Sequence, residues 1–218
     1  MRYLSFLLLL VGCTGIAPTP AAPSNGFVNV TYEGLSTLNL DPPGTARYLF
    51  KETCDFDLYT SISPVGSDGL ITTQNNQSLY RYYQSYHGVM VWNTKIEILW
   101  NNLSQTPVKG SLLIVDDSLL QNINSVAAIS SNDALVKLEN LFLSADDAER
   151  YDITEPVLVY YFCPATNQWH YGWESTVISH HPGYDPRTAK LLNINLVYFI
   201  IIDGISGEQL LLEFELKN

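Results

Sequence analysis

The sequence predicts an α+β fold, antiparallel β-meanders with one main helix packed on a sheet, and three observations carry that reading. From Ser78 to Trp100 the chain is aromatic and β-prone, with Gly88 at a reversal between two such runs. Ser130-Ser131-Asn132-Asp133 then opens a stripe of apolar residues at helical spacing. From Val157 to Leu216 the β pattern resumes. A helix laid across an antiparallel sheet buries the apolar side of both elements, and the order meander, helix, meander fits that solution.

At the N-terminus, Arg2 precedes an apolar run from Leu4 to Val11, and Gly12 stands just before Cys13. This is the pattern of a secretory signal over residues 1–12. The run is well short of the ~20 apolar residues that a membrane-spanning helix needs. Residues 13–26, with Pro18, Pro20 and Pro23, read as an extended tether. A mostly β module is expected over 27–128 and a helix-on-sheet module over 129–218.

Between Asn25 and Thr73, Asp41-Pro42-Pro43-Gly44, Ser63-Pro64 and Gly66-Ser67-Asp68-Gly69 read as turns around short apolar pieces, and little helix is expected. Leu79 to Tyr86, Val89 to Trp92 and Lys95 to Trp100 follow as strands, then Val108 to Val115. Ser130 as N-cap with Asp133 three residues on gives a capping-box start, and Ala134, Leu135, Leu138, Leu141 and Phe142 form the stripe. Val157 to Phe162, Trp169 to Ile178, Leu192 to Ile202 and Glu208 to Leu216 complete the strands, with Ser179 to Ala189 as a loop. Trp169, Tyr171 and Trp173 share one face by period two.

The formal net charge is −11, and loss of residues 1–12 removes Arg2 and no acid, leaving −12. Such a surface opposes binding to nucleic acid and charge-driven docking on anionic lipid, both of which need basic patches. It permits a basic partner. A zinc protease would need His-Glu-x-x-His, and the four histidines, His87, His170, His180 and His181, do not supply it. Asp116-Asp117 and Asp146-Asp147 lack the alternate-residue spacing of a calcium loop. No nucleophile elbow or phosphate-cradling loop is present, so neither catalytic residues nor a metal or other cofactor is expected.

Leu10-Val11-Gly12-Cys13 resembles the bacterial lipobox, which implies lipidation at Cys13 and a palmitate-bearing lipoprotein held in the cell envelope, facing the periplasm or exterior. The alternative is an ordinary cleaved signal that contains a cysteine. With Cys13 given to lipid, Cys54 and Cys163 are an even pair in an oxidising compartment. They are either a disulfide closing a loop of roughly 110 residues or two buried thiols. The tyrosines divide in the same way. Tyr80, Tyr82 and Tyr86, with Trp92, either pack in the sheet or form an exposed contact patch.

Arg81-Tyr82-Tyr83-Gln84-Ser85-Tyr86-His87-Gly88-Val89-Met90-Val91, Ser130 to Leu135 and Phe199 to Leu210 together resemble the propeptide region of thermolysin-like and fungalysin-like metalloproteases. The first stretch is similar to the FTP module, and the other two to the helix start and closing hairpin of a PepSY-type module with a cystatin-like fold. Met90 stands where the family often has Pro, Gly204 where it often has Ala, and His180 to Arg187 reads as an insertion. The resemblance covers about two thirds of the chain and implies a non-enzymatic binding protein. With no protease following Asn218, the partner expected is a secreted metalloprotease, inhibited or helped to fold in trans. The other expectation is a structural or ligand-binding envelope lipoprotein whose partner is an envelope protein.

Overall fold

A computed structural model describes residues 26–53, 59–143, 151–185 and 190–217. The expected signal, most of the tether and Cys13 lie outside them. Among the described residues, twelve strands form one sheet, joined by two helices.

The first helix, α1 (Pro42–Thr53), lies where turns were expected. Proline at the first helical position lacks an N–H that a helix leaves unbonded anyway, and its fixed φ suits the helix. Asp41 closes the first turn, its Oδ1 accepting the Gly44 N–H at 2.8 Å and its carbonyl the Thr45 N–H at 2.8 Å. Thr45, Ala46, Leu49 and Phe50 are the buried stripe. Ala46, Leu49 and Phe50 pack with Ile96, Ile98, Leu112 and Ile114 of the sheet.

The N-terminal strands are β1 (Phe27–Glu33), β2 (Thr60–Pro64), β3 (Leu70–Gln74), β4 (Gln77–Tyr86), β5 (Val89–Val91), β6 (Lys95–Asn101) and β7 (Thr106–Val115). One return strand after Gly88 is broken into β5 and β6 by Trp92-Asn93-Thr94, with Asn93 at φ 62°. β6 pairs onward with β7, and β7 with β1. β5 instead pairs in parallel with β9, Met90 opposite Val159 and Val91 opposite Tyr160. The sheet therefore forks at the break. β2 and β3 lie along the other side of β4, since Tyr82 pairs with both Ile96 and Pro64.

The C-terminal elements are α2 (Ser131–Leu143), β8 (Tyr151–Ile153), β9 (Val157–Cys163), β10 (Gln168–Asp185), β11 (Lys190–Asp203) and β12 (Gln209–Lys217). The capping box forms as read: Ser130 Oγ accepts the Asp133 N–H at 3.1 Å, and Asp133 Oδ2 accepts the Ser130 N–H at 3.1 Å. Ala134 and Leu138 are buried, while Leu141 is half exposed. The stripe is narrower than its spacing suggests. Leu138 packs with Val177, Ile200 and Ile202.

Two expectations are overturned. The fold is not one main helix on antiparallel meanders: α1 and α2 have 12 and 13 residues, and the twelve-stranded sheet is mixed through the parallel β5–β9 pair. Ser179 to Asp185 is not loop but the continuation of β10, paired with β11 as far as Asp185 opposite Lys190. In each case backbone groups are satisfied by a distant stretch that local patterning does not reveal.

Candidate binding surface

The aromatic strand β4 presents Tyr80, Tyr82, Gln84 and Tyr86 on one face by its period of two, and α1 covers part of that face. Tyr82 is 2 % exposed and packs in the cluster beneath α1, with Tyr80 half-buried against it. The Tyr82 hydroxyl is buried with no hydrogen-bond partner among the described residues. Burial, with smaller contributions from Tyr80 and Asp41, pushes its pKa up to about 12. Tyr86 is buried at the fork, edge-on to Tyr160 at 5.8 Å. Trp92 lies half-buried beside Val159, Tyr161 and Ile201, its ring 6.4 Å from that of Phe199. The four residues thus divide among three core clusters and make no common exposed patch.

An exposed apolar run lies along the outer edge of β4's neighbours. Tyr59, Val65, Leu70 and Ile71 are all exposed, between 37 and 57 %. Val65 N–H donates to the Arg81 carbonyl at 3.0 Å and Arg81 N–H to the Gly69 carbonyl at 2.7 Å, so residues 66–68 leave the edge and return to it. Gly69, at φ 80°, makes the return in a conformation that other residues rarely adopt. All five side chains of β3 are exposed, Leu-Ile-Thr-Thr-Gln, with no charge and no proline. Among the described residues β3 pairs only with β4, and its register shifts at Ile71. Sheet edges are ordinarily blunted by charge or proline. β3 carries neither.

A polar network joins the ends of the C-terminal strands. Asp203, 6 % exposed, accepts the N–H groups of Ile205 (2.9 Å) and Ser206 (2.7 Å) on Oδ1, and its Oδ2 lies 2.8 Å from His170 Nδ1. His170 Nε2 is 3.1 Å from the Thr166 hydroxyl. Burial alone would raise the Asp203 pKa; the hydrogen bonds from Ser206, His170 and Ile205 outweigh it, and the net shift is downward. The network braces the Pro164-to-Asn167 turn against the turn after Asp203. In the sequence its signal is a turn-forming Asp with Ser three residues on, the pattern of such a cap.

Cys163, at the end of β9, is a free, buried thiol, which is the second of the two readings for that residue; Cys54 lies outside the described residues. Burial raises the Cys163 pKa, but hydrogen bonds from the Thr166 hydroxyl and the backbone N–H groups of Thr166 and Ala165 bring it below its ordinary value. His180 and His181 are successive residues of β10, and His180 Nε2 lies 2.7 Å from Asp152 Oδ2 at the surface. Among the described residues no three His, Cys, Asp or Glu side chains gather as a metal site would require.

No family model matches the chain, and no curated protein matches it. Among solved structures, the Bacillus megaterium YpeB C-terminal domain is similar over 84 % of this chain and 69 % of that one, at 14 % identity and a TM-score of 0.39. A likeness that loose carries no argument about fold or role.

Proposed function

We propose that this chain is a non-enzymatic, membrane-anchored binding protein that engages a secreted metalloprotease in trans, as inhibitor or folding assistant, by adding a strand of its partner to the edge of β3. The observation that carries the mode of binding is that edge: uncharged, exposed at all five residues, and adjoined by the exposed Val65 just past the end of β2. Strand addition draws its affinity from main-chain hydrogen bonds and its selectivity from alternate side chains. The choice of partner comes from the resemblance of the Arg81 to Val91, Ser130 to Leu135 and Phe199 to Leu210 stretches to protease propeptides. Lipid at Cys13 would keep the protein at the membrane.

Pull-down of secreted proteins with the mature chain, paired with a protease inhibition assay, tests this. Ile71→Lys places a charge on the edge at an exposed position and is expected to abolish capture without loss of fold by circular dichroism. Recovery of no metalloprotease, or capture that survives Ile71→Lys unchanged, would sink the corresponding half of the proposal. Recovery of envelope components alone would replace it with the envelope-scaffold reading. Mass spectrometry of the mature N-terminus checks the anchor, and an unmodified Cys13 would remove it.

A further inference from the structure

Where β5 parts from β9, a pocket of about 200 Å³ opens at the fork, lined by Phe27, Trp92, Asn93, Tyr161, Phe162 and Glu213 among others. β5 pairs β9 only as far as Tyr160, whose carbonyl takes the Trp92 N–H at 2.8 Å. Phe162 near the end of β9 and Phe27 at the start of β1 both line the pocket. Ligand pockets for drug-sized molecules usually fall at roughly 300–1,000 Å³. This one is the size for a single long side chain.

Its chemistry is selective. Four aromatic rings border it, and the electron-rich faces of such rings attract cations, a guanidinium above all. Glu213 stands on β12 opposite Phe199, the residue whose ring lies against Trp92. It is exposed, and it makes no hydrogen bond or ion pair with any described residue. The cations Arg81 and Lys95 are taken by Glu97, and Lys109 by Glu33. Glu213 also contributes, after burial and Cys163, to the upward pKa shift of Tyr161, so its charge is felt inside the pocket wall. The chain as a whole carries −11 and draws basic partners toward it.

We infer that this pocket receives an arginine side chain of the partner protein, its guanidinium stacked on the Trp92 ring and paired with the Glu213 carboxylate. Planar stacking and a forked hydrogen-bond pattern suit arginine better than lysine. The inference rests on the binding-protein reading for the source of the arginine, but not for the chemistry of the pocket. The test uses the mature chain and a short Gly/Ser peptide carrying one arginine, followed through the Trp92 indole N–H resonance by NMR. Saturable displacement of that resonance is expected. The same peptide with citrulline, neutral and nearly isosteric, should leave it in place, and Glu213→Gln should weaken the arginine peptide about tenfold.

No displacement by the arginine peptide, equal displacement by the citrulline peptide, or an unchanged affinity in Glu213→Gln would each overturn the assignment. Because Glu213 is exposed, its glutamine variant retains the fold and reports on the site. Peptide binding without metalloprotease capture would refute the proposed partner and leave the pocket standing. Capture without peptide binding would do the reverse.

Discussion

The side chain of Gln84 pairs with both backbone polar groups of Val115: Nε2 donates to the Val115 carbonyl at 2.7 Å, and Oε1 accepts the Val115 N–H at 2.8 Å. Val115 ends β7, beyond the last β7 residue that β6 reaches, Leu113. A side-chain amide here substitutes for a missing strand at the fork. The Gln84 N–H is in turn taken by the Thr94 hydroxyl at 3.1 Å, which itself donates to the Val91 carbonyl at 2.6 Å. The break between β5 and β6 is thus sealed by two polar side chains, and Gln84 is 0 % exposed.

Gln84→Leu leaves the Val115 donor and acceptor buried without partners and is expected to destabilise the fold by about 3 kcal/mol. Gln84→Glu adds a pH signature. Burial raises the folded-state pKa of the new carboxyl, so stability present at acid pH is lost as pH rises through that value. Urea unfolding followed by tryptophan fluorescence at several pH values measures both.

At Gly204 the constraint is steric. A Cβ there would lie 2.6 Å from the Tyr171 carbonyl oxygen, which already accepts the Gly204 N–H at 2.9 Å. The Gly204 carbonyl holds the Ala128 and Ile129 N–H groups ahead of α2. The close approach requires glycine at this position. Gly204→Ala is expected to cost about 1–3 kcal/mol in thermal or urea unfolding. Gly34→Ala, where nothing lies within 4 Å but φ is 68°, should cost about 1 kcal/mol through backbone strain alone.

Asp203 makes the fold acid-sensitive. Its folded pKa is depressed, so its contribution is full above the unfolded carboxylate range, near ~3.9, and is lost as pH falls through the folded value. Asp203→Asn should remove about 1–3 kcal/mol at neutral pH and flatten the acid limb of a Tm-against-pH curve. An acid limb unchanged by the substitution would locate the sensitivity elsewhere.

Tyr82→Phe removes a buried hydroxyl that has no hydrogen-bond partner among the described residues. Stability should stay level or rise by up to about 1 kcal/mol. Partner capture should be unaffected, because Tyr82 lies beneath α1 and not on the surface. A loss of capture with intact stability would return Tyr82 to the contact surface.

What the sequence alone determined was local. The Ser130–Asp133 capping box, the reversal at Gly88, the strand runs of β4, β6, β7 and β9, and the turn after Asp203 are all legible in side-chain chemistry and periodicity within a few residues. Helix α1 was also written there, in Asp41 as cap and Pro42 at the first turn, but Pro-Pro-Gly reads equally as a turn until the Thr45, Ala46, Leu49 and Phe50 stripe has a sheet to cover. Only the tertiary structure decided that Tyr80 and Tyr82 of β4 pack in the cluster beneath a helix, that β10 continues to Asp185, and that His170 meets Asp203. It also decided that β5 leaves β6 for β9. Strand pairing is written in main-chain hydrogen bonds that are alike for nearly all residues, so a partner distant in sequence is chosen by which faces bury together. No window along the chain contains that choice.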